Sequence, residues 1–172
     1  PVVLQISENA VRYHGALAPL CLGTLAVARA SSAPVAVHLD HAEDDGLIRE
    51  AGSLGVSSVM YDGSKLPDDE NRATTREVVA LCHARGADVE AELGEVGGKN
   101  GGHDPSARTS PEDAATFVAD TGVDLLAVAV GSSHAMTTRD ASLDEDLIRA
   151  IRAAVGVPLV LHGSSGVPDE GM

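Results

Sequence analysis

Three histidines fall where apolar runs stop. His41 follows VAVHLD, His134 closes LLAVAVGSSH and His162 follows LVL in LVLHGSSG. Three neutral imidazoles brought together from separate segments, with a fourth position open, form the donor set of a catalytic zinc site. A single strand-end histidine needs only a nearby backbone group, whereas three at equivalent places call for a shared partner. Carboxylates end other runs: Asp40 beside His41, Asp62 in YDGS and Glu92 in VEAEL. Neighbours in a strand point to opposite faces. Asp40 and His41 can therefore serve one site only where the strand is ending, and the pair then reads as a metal ligand with an acid/base group at its side. His38 has the strand parity of Asp40 and reads as mainly structural. Glu90 shares a face with Glu92, so one of these acids can orient a histidine from behind. HGSSG (162–166) puts two glycines and two serines just past a strand, where backbone can approach a phosphate.

The elements that must position these groups repeat. Apolar runs at 2–7, 35–40, 56–62, 87–93, 125–134 and 158–165 alternate with helical stretches, the roughly 30-residue rhythm of βα units. Ser110-Pro111-Glu112-Asp113 opens one helix and Gly122 closes it. The stretch 68–86 begins acidic, carries His83 and Arg85 near its end and stops at Gly86. Leu143, Leu147, Ile148, Ile151 and Val155 form an apolar stripe. The acidic runs 43–45 and 68–70 read as solvated first turns, and His14, His83 and His103 as surface residues. Several runs barely alternate, as parallel strands covered on both sides do. An open doubly wound sheet and a (β/α)8 TIM barrel both fit. Chemistry at successive strand ends favours the barrel, where all ends share one face, over the single crevice of an open sheet. The expectation is one α/β barrel domain over residues 1–172, incomplete, lacking a first and a last strand. The glycine-rich stretch 94–109 is expected to be a long loop, functional or mobile.

Composition narrows the partners. The 172 residues are 44% hydrophobic with one Phe, two Tyr and no Trp, so the core must be aliphatic. A formal charge of −14 disfavours nucleic acid and anionic membranes, but not a small phosphorylated ligand held by local N–H groups and a metal. Cys21 and Cys82 make no metal spacing and read as buried thiols in a reducing cytoplasm. No run reaches the length of a membrane span. HExxH, cysteine knuckles and a strand HxH pair are absent, which argues against the usual metallohydrolases.

VHLDHA, YDGS, VEAELGEVGG, VAVGSSHA and LVLHGSSGVPDE, in this order, resemble the class II, zinc-dependent ketose-bisphosphate aldolases, among them fructose- and tagatose-bisphosphate aldolases. The likeness covers essentially the whole chain. It implies barrel strands 2 to 7, a homodimer or homotetramer, and reversible cleavage of a phosphorylated ketose to dihydroxyacetone phosphate and an aldehyde. By the same resemblance His41, His134 and His162 bind Zn²⁺, and Asp40 is the acid/base at the aldehyde oxygen. Asp62 and Glu92 match carboxylates of a second or displaced metal position. Gly163 and Ser165 match the phosphate turn, which also takes a monovalent cation (Na⁺ or K⁺), and Ser7 matches a residue near that phosphate. Lys65 and Lys99 end no strand, consistent with chemistry without a Schiff base. The departures are Ala42 for a second His, Ala135 where a Gly backbone meets phosphate, Ser164 in HGSSG, and a loop reading GGKNGG without the family's Glu; nearby Glu95 does not match that position. Two rivals stand beside this reading. One is another metal-dependent barrel enzyme such as a hydrolase, which gives HGSSG no purpose. The other is a non-catalytic or structurally incomplete metal- or ligand-binding homologue, which the expected missing strands, Ala135 and GGKNGG keep open.

Overall fold

The computed structural model of the protein describes residues 1–93, 108–134 and 136–169. The elements run β1 (Val2–Ser7), α1 (Glu8–His14), α2 (Leu17–Ala30), β2 (Val35–Ala42), α3 (Asp45–Leu54), β3 (Ser58–Tyr61), α4 (Asp68–His83), β4 (Asp88–Leu93), α5 (Pro111–Thr121), β5 (Leu125–Val128), α6 (Glu145–Ala154) and β6 (Leu159–Val160), followed by a 3₁₀ turn at Ser164–Gly166. Local chemistry sets most boundaries. Ser110 Oγ accepts from Asp113 N–H ahead of Pro111, Asp44 caps α3 through Gly46 and Leu47 N–H, and Asp144 caps α6 through Leu147 N–H. Left-handed Gly122 ends α5, as Gly55 ends α3.

Strand order separates the two architectures. All pairings are parallel and the order is β1-β2-β3-β4-β5-β6. A doubly wound sheet reverses direction at a switch point; this one never does. The sheet also curls. β2 and β6 lie four strand steps apart, about 19 Å across a flat sheet, yet His41 Nε2 near the end of the first is 3.0 Å from His162 Nδ1 after the second. The result is an α/β partial barrel with helices outside. Its aliphatic core joins Val37, Leu39, Val59, Val89 and Leu126 of the sheet to Ile48, Phe117 and Ile151 of the helices. Cys21 and Cys82 are free thiols buried in that core, and burial pushes both pKa values up.

The strand ends differ from expectation in an instructive way. The runs 125–134 and 158–165 are strand only over Leu125–Val128 and Leu159–Val160. Past Val128 the backbone turns to other partners: Ala129 N–H donates to Thr109 Oγ1 (2.8 Å), its carbonyl accepts from Thr109 N–H, and the Val130 carbonyl accepts from Asp144 N–H. His134 and His162 therefore ride on loops. β2 instead runs two residues beyond Asp40, to Ala42. His83, read as a surface residue, is exposed and pairs with the Asp124 carboxylate at 2.8 Å. The GGKNGG stretch, Glu95, Lys99, His103 and Ala135 lie outside the described residues.

Candidate metal centre

The parity problem at Asp40–His41 has a geometric answer. Leu39 pairs with Val59 and Ala42 with Tyr61, so two residues of β2 face one residue of β3. This is a β-bulge, which re-aims side chains at a strand end. The extra residue is His41, the one described non-glycine residue with positive φ (48°). Left-handed backbone is uncommon away from glycine and persists only where the surroundings impose it. Here it lets Asp40 and His41 sit on consecutive positions at one site.

His41, His134 and His162 each offer a ring nitrogen within 4.8 Å of the others, and His41, Asp62 and Glu92 form a second such group. His41 is common to both. The rings pack at centroid distances of 4.5 Å (His41–His162), 4.9 Å (His41–His134) and 5.5 Å (His134–His162). Buried Asp62 lies 3.0 Å from His41 Nδ1. Buried Glu90 lies 2.7 Å from His162 Nε2. A carboxylate can only accept, so each of these nitrogens carries the proton and donates. The remaining nitrogens, His41 Nε2 and His162 Nδ1, are then lone pairs, and they face each other at 3.0 Å. Two lone pairs in contact repel unless a proton or a metal ion lies between them. Two nitrogens bound tetrahedrally to zinc at about 2.0–2.1 Å sit roughly 3.3 Å apart, so the donor set fits such an ion. Carboxylates behind ligating imidazoles are the usual means of fixing tautomer and aim.

The same charges tune the neighbours. Burial pushes the His162 pKa down, but the hydrogen bond and charge of Glu90, with Asp40 and Glu92, outweigh it, and the net shift is upward. His38 moves the other way: burial lowers its pKa, His162 and His41 add to that, and Glu90 and Asp40 offset it only in part. Its Nδ1 bonds Ser58 Oγ at 2.8 Å, and its Nε2 lies 3.9 Å from both Asp40 Oδ1 and Glu90 Oε2. Asp40 Oδ1 is buried and has no hydrogen-bond partner among the described residues. A carboxylate oxygen left bare beside a histidine cluster can take a proton from something that enters the site.

The turn after β6 is built on the loop that carries His134. Gly163 has φ 68°, and a Cβ there would fall 2.4 Å from the Ser133 carbonyl carbon. Both the conformation and the contact require glycine. Ser132 Oγ donates to the His162 carbonyl (2.6 Å), and Gly166 N–H donates to the Gly163 carbonyl (3.2 Å). Ser164 and Ser165 are exposed. Ser7, at the β1 end, pairs in register with Asp40 and caps α1 by accepting from Ala10 N–H. Its hydroxyl proton can still donate outward.

Comparison with known proteins fits this geometry. The profile of the family described as "Fructose-bisphosphate aldolase class-II" matches residues 1–172. The chain belongs to the class II fructose-bisphosphate aldolase family. A relative named "Fructose-bisphosphate aldolase" from Giardia intestinalis is 43% identical over 175 residues, spanning 99% of this chain and 54% of the relative. Among solved structures, a putative fructose-1,6-biphosphate aldolase from Coccidioides immitis superposes with TM-score 0.86 at 37% identity, covering 99% of this chain and 62% of that one. The YdjI aldolase from Escherichia coli K12 gives 0.81 at 34%, covering 99% and 59%. The chain thus spans little more than half the length of these family members.

Some supports of the site carry weak sequence signals. Glu90 is distinguished from Glu92 only by which histidine it meets. Asn71 of α4 is buried, its Nδ2 donating to the Glu92 carbonyl (3.2 Å) and its Oδ1 accepting from Thr75 Oγ1 (3.0 Å). Thr109 ties the Leu93 carbonyl to Ala129 N–H. Both are tertiary clasps, invisible to a periodicity reading.

Proposed function

We propose that the protein is a zinc-dependent ketose-bisphosphate aldolase, cleaving fructose 1,6-bisphosphate or a related ketose phosphate reversibly to dihydroxyacetone phosphate and an aldehyde. The observation that carries this reading is the convergence of ring nitrogens of His41, His134 and His162 within 4.8 Å of one another, with Asp40 Oδ1 bare at their edge. His41, His134 and His162 would hold the ion, with Asp62 and Glu92 as a second position reached through His41. When bound, zinc supplies Lewis-acid stabilisation of the negative charge left on the ketone fragment as the carbon–carbon bond breaks.

The chain's own residues do the rest. Asp62 and Glu90 hold two imidazoles in the ligating tautomer. Asp40 takes the proton of the C4 hydroxyl in cleavage and returns it in condensation. His38, whose pKa burial lowers, stands 3.9 Å from Asp40 Oδ1. The Gly163–Ser165 turn offers backbone N–H groups and a hydroxyl for a phosphate and, in this reading, a monovalent cation. Ser7 adds a donor from the β1 end. Lys65 pairs with the Glu43 carboxylate at 2.7 Å, and the proposed chemistry needs no Schiff-base amine.

The test is a paired assay with fructose 1,6-bisphosphate and tagatose 1,6-bisphosphate, following dihydroxyacetone phosphate release. Cleavage of at least one is expected, and the faster identifies the sugar. Hydrolysis of a phosphate ester without carbon–carbon cleavage would refute the proposal.

A further inference from the structure

Glu8 has no part in the ligand set or the proton transfer, yet it is a buried carboxylate one residue past the β1 end. Its Oε2 accepts from Glu43 N–H at 2.7 Å and from Asp44 N–H at 3.3 Å, in the loop after the adjacent strand β2. Its Oε1 is paired with the Arg12 guanidinium one helical turn on. The two amides it holds belong to the loop directly after the bulge, and Asp44 in turn caps α3. Glu43 extends the chain of contacts through its own side chain to Lys65, in the loop after β3. A single buried acid thus fastens the start of α1 to the loop after β2, which is itself fastened to the loop after β3.

We infer that Glu8 is a positioning residue, which holds the strained bulge conformation of His41, and with it the aim of Asp40, by anchoring the 43–44 backbone. The inference rests on the zinc aldolase reading for its consequence, though not for its geometry. A left-handed His41 costs free energy and would relax if its surroundings allowed. On one side the bulge is held by Asp62 on the ring. On the other, the next backbone donors available to hold the chain are the N–H groups of residues 43 and 44, and Glu8 takes both. Reach matters more than charge here: the carboxylate must extend from α1 to the neighbouring strand end.

Two variants separate reach from charge. Glu8→Gln keeps an acceptor oxygen at full length; Glu8→Asp keeps the charge one methylene short. Zinc affinity, measured by competition with a chelating dye, should fall about tenfold or more in Glu8→Asp and stay within about threefold in Glu8→Gln. Arg12→Ala, which removes only the ion pair, should bind zinc as the parent does. Wild-type affinity in Glu8→Asp, or equal losses in Glu8→Gln and Arg12→Ala, would overturn the inference. Amide hydrogen exchange in the metal-free protein gives a second readout. Glu8→Asp should speed exchange at Glu43 and Asp44 while amides of the core strands stay protected, and unchanged exchange there also overturns it. If the parent itself binds no zinc, the aldolase reading fails and the exchange experiment alone decides the role of Glu8.

Discussion

Replacing Glu90 by Gln changes one atom and should change both the strength and the pH dependence of metal binding. Glu90 is 5% exposed, and its 2.7 Å bond to His162 Nε2 is little screened by solvent. A hydrogen bond to a charged group contributes about 1.5–3 kcal/mol and a neutral one about 0.5–1.5 kcal/mol. Gln retains the neutral bond, so the loss is about 1.4 kcal/mol, or tenfold in zinc affinity, the lower end of what removing such a support costs. The pH effect has the opposite sense. In the parent, Glu90 is the main reason His162 titrates above its ordinary value, so protons compete with the metal as pH falls through that raised pKa. Without the Glu90 charge, the largest upward pull on His162 is gone and proton competition begins at lower pH. Zinc affinities measured by chelator competition at pH 8, 7 and 6 should therefore differ about tenfold at pH 8 and converge towards pH 6. Equal affinities at pH 8, or a variant more sensitive to acid than the parent, would refute the reasoning that Glu90 fixes the His162 tautomer.

Asp40→Asn cannot accept the hydroxyl proton; cleavage should fall at least about 100-fold while zinc stays bound at one per chain, and retained turnover would remove Asp40 from its role. His134→Ala should lose metal, with zinc content by mass spectrometry as the readout; stoichiometric zinc in that variant would mean two histidines suffice. Gly163→Ala places a methyl 2.4 Å from the Ser133 carbonyl carbon at φ 68°. Strain and overpacking together should cost about 3 kcal/mol, read as a lowered urea midpoint; an unshifted midpoint would show that the turn can move.

What was legible in the sequence was the chemistry at the ends of elements. His41, His134, His162 and Asp40 announce themselves because buried parallel strands have no use for such residues, and the barrel follows from their spread over successive units. Caps were equally legible: Ser110-Pro111 and Gly122 act only on their own turns. The bulge at His41 was not, because VHLDHA contains no glycine to mark a left-handed residue, and the strain is imposed by β3 and the neighbouring loops. The shortness of β5 and β6 was hidden for a related reason. Apolar runs continue past the last ladder bond, and only Thr109 and Asp144, distant in sequence, take over the backbone groups. Glu8 and Asn71 look like ordinary polar residues of helix first turns; their burial depends on which loops fold over them.

The most direct test is stoichiometric reconstitution. Metal-free protein titrated with zinc should gain fructose- or tagatose-bisphosphate cleavage in proportion to added metal, saturating at one ion per chain. The same activity before any zinc is added, or none of it at saturation, would contradict the account.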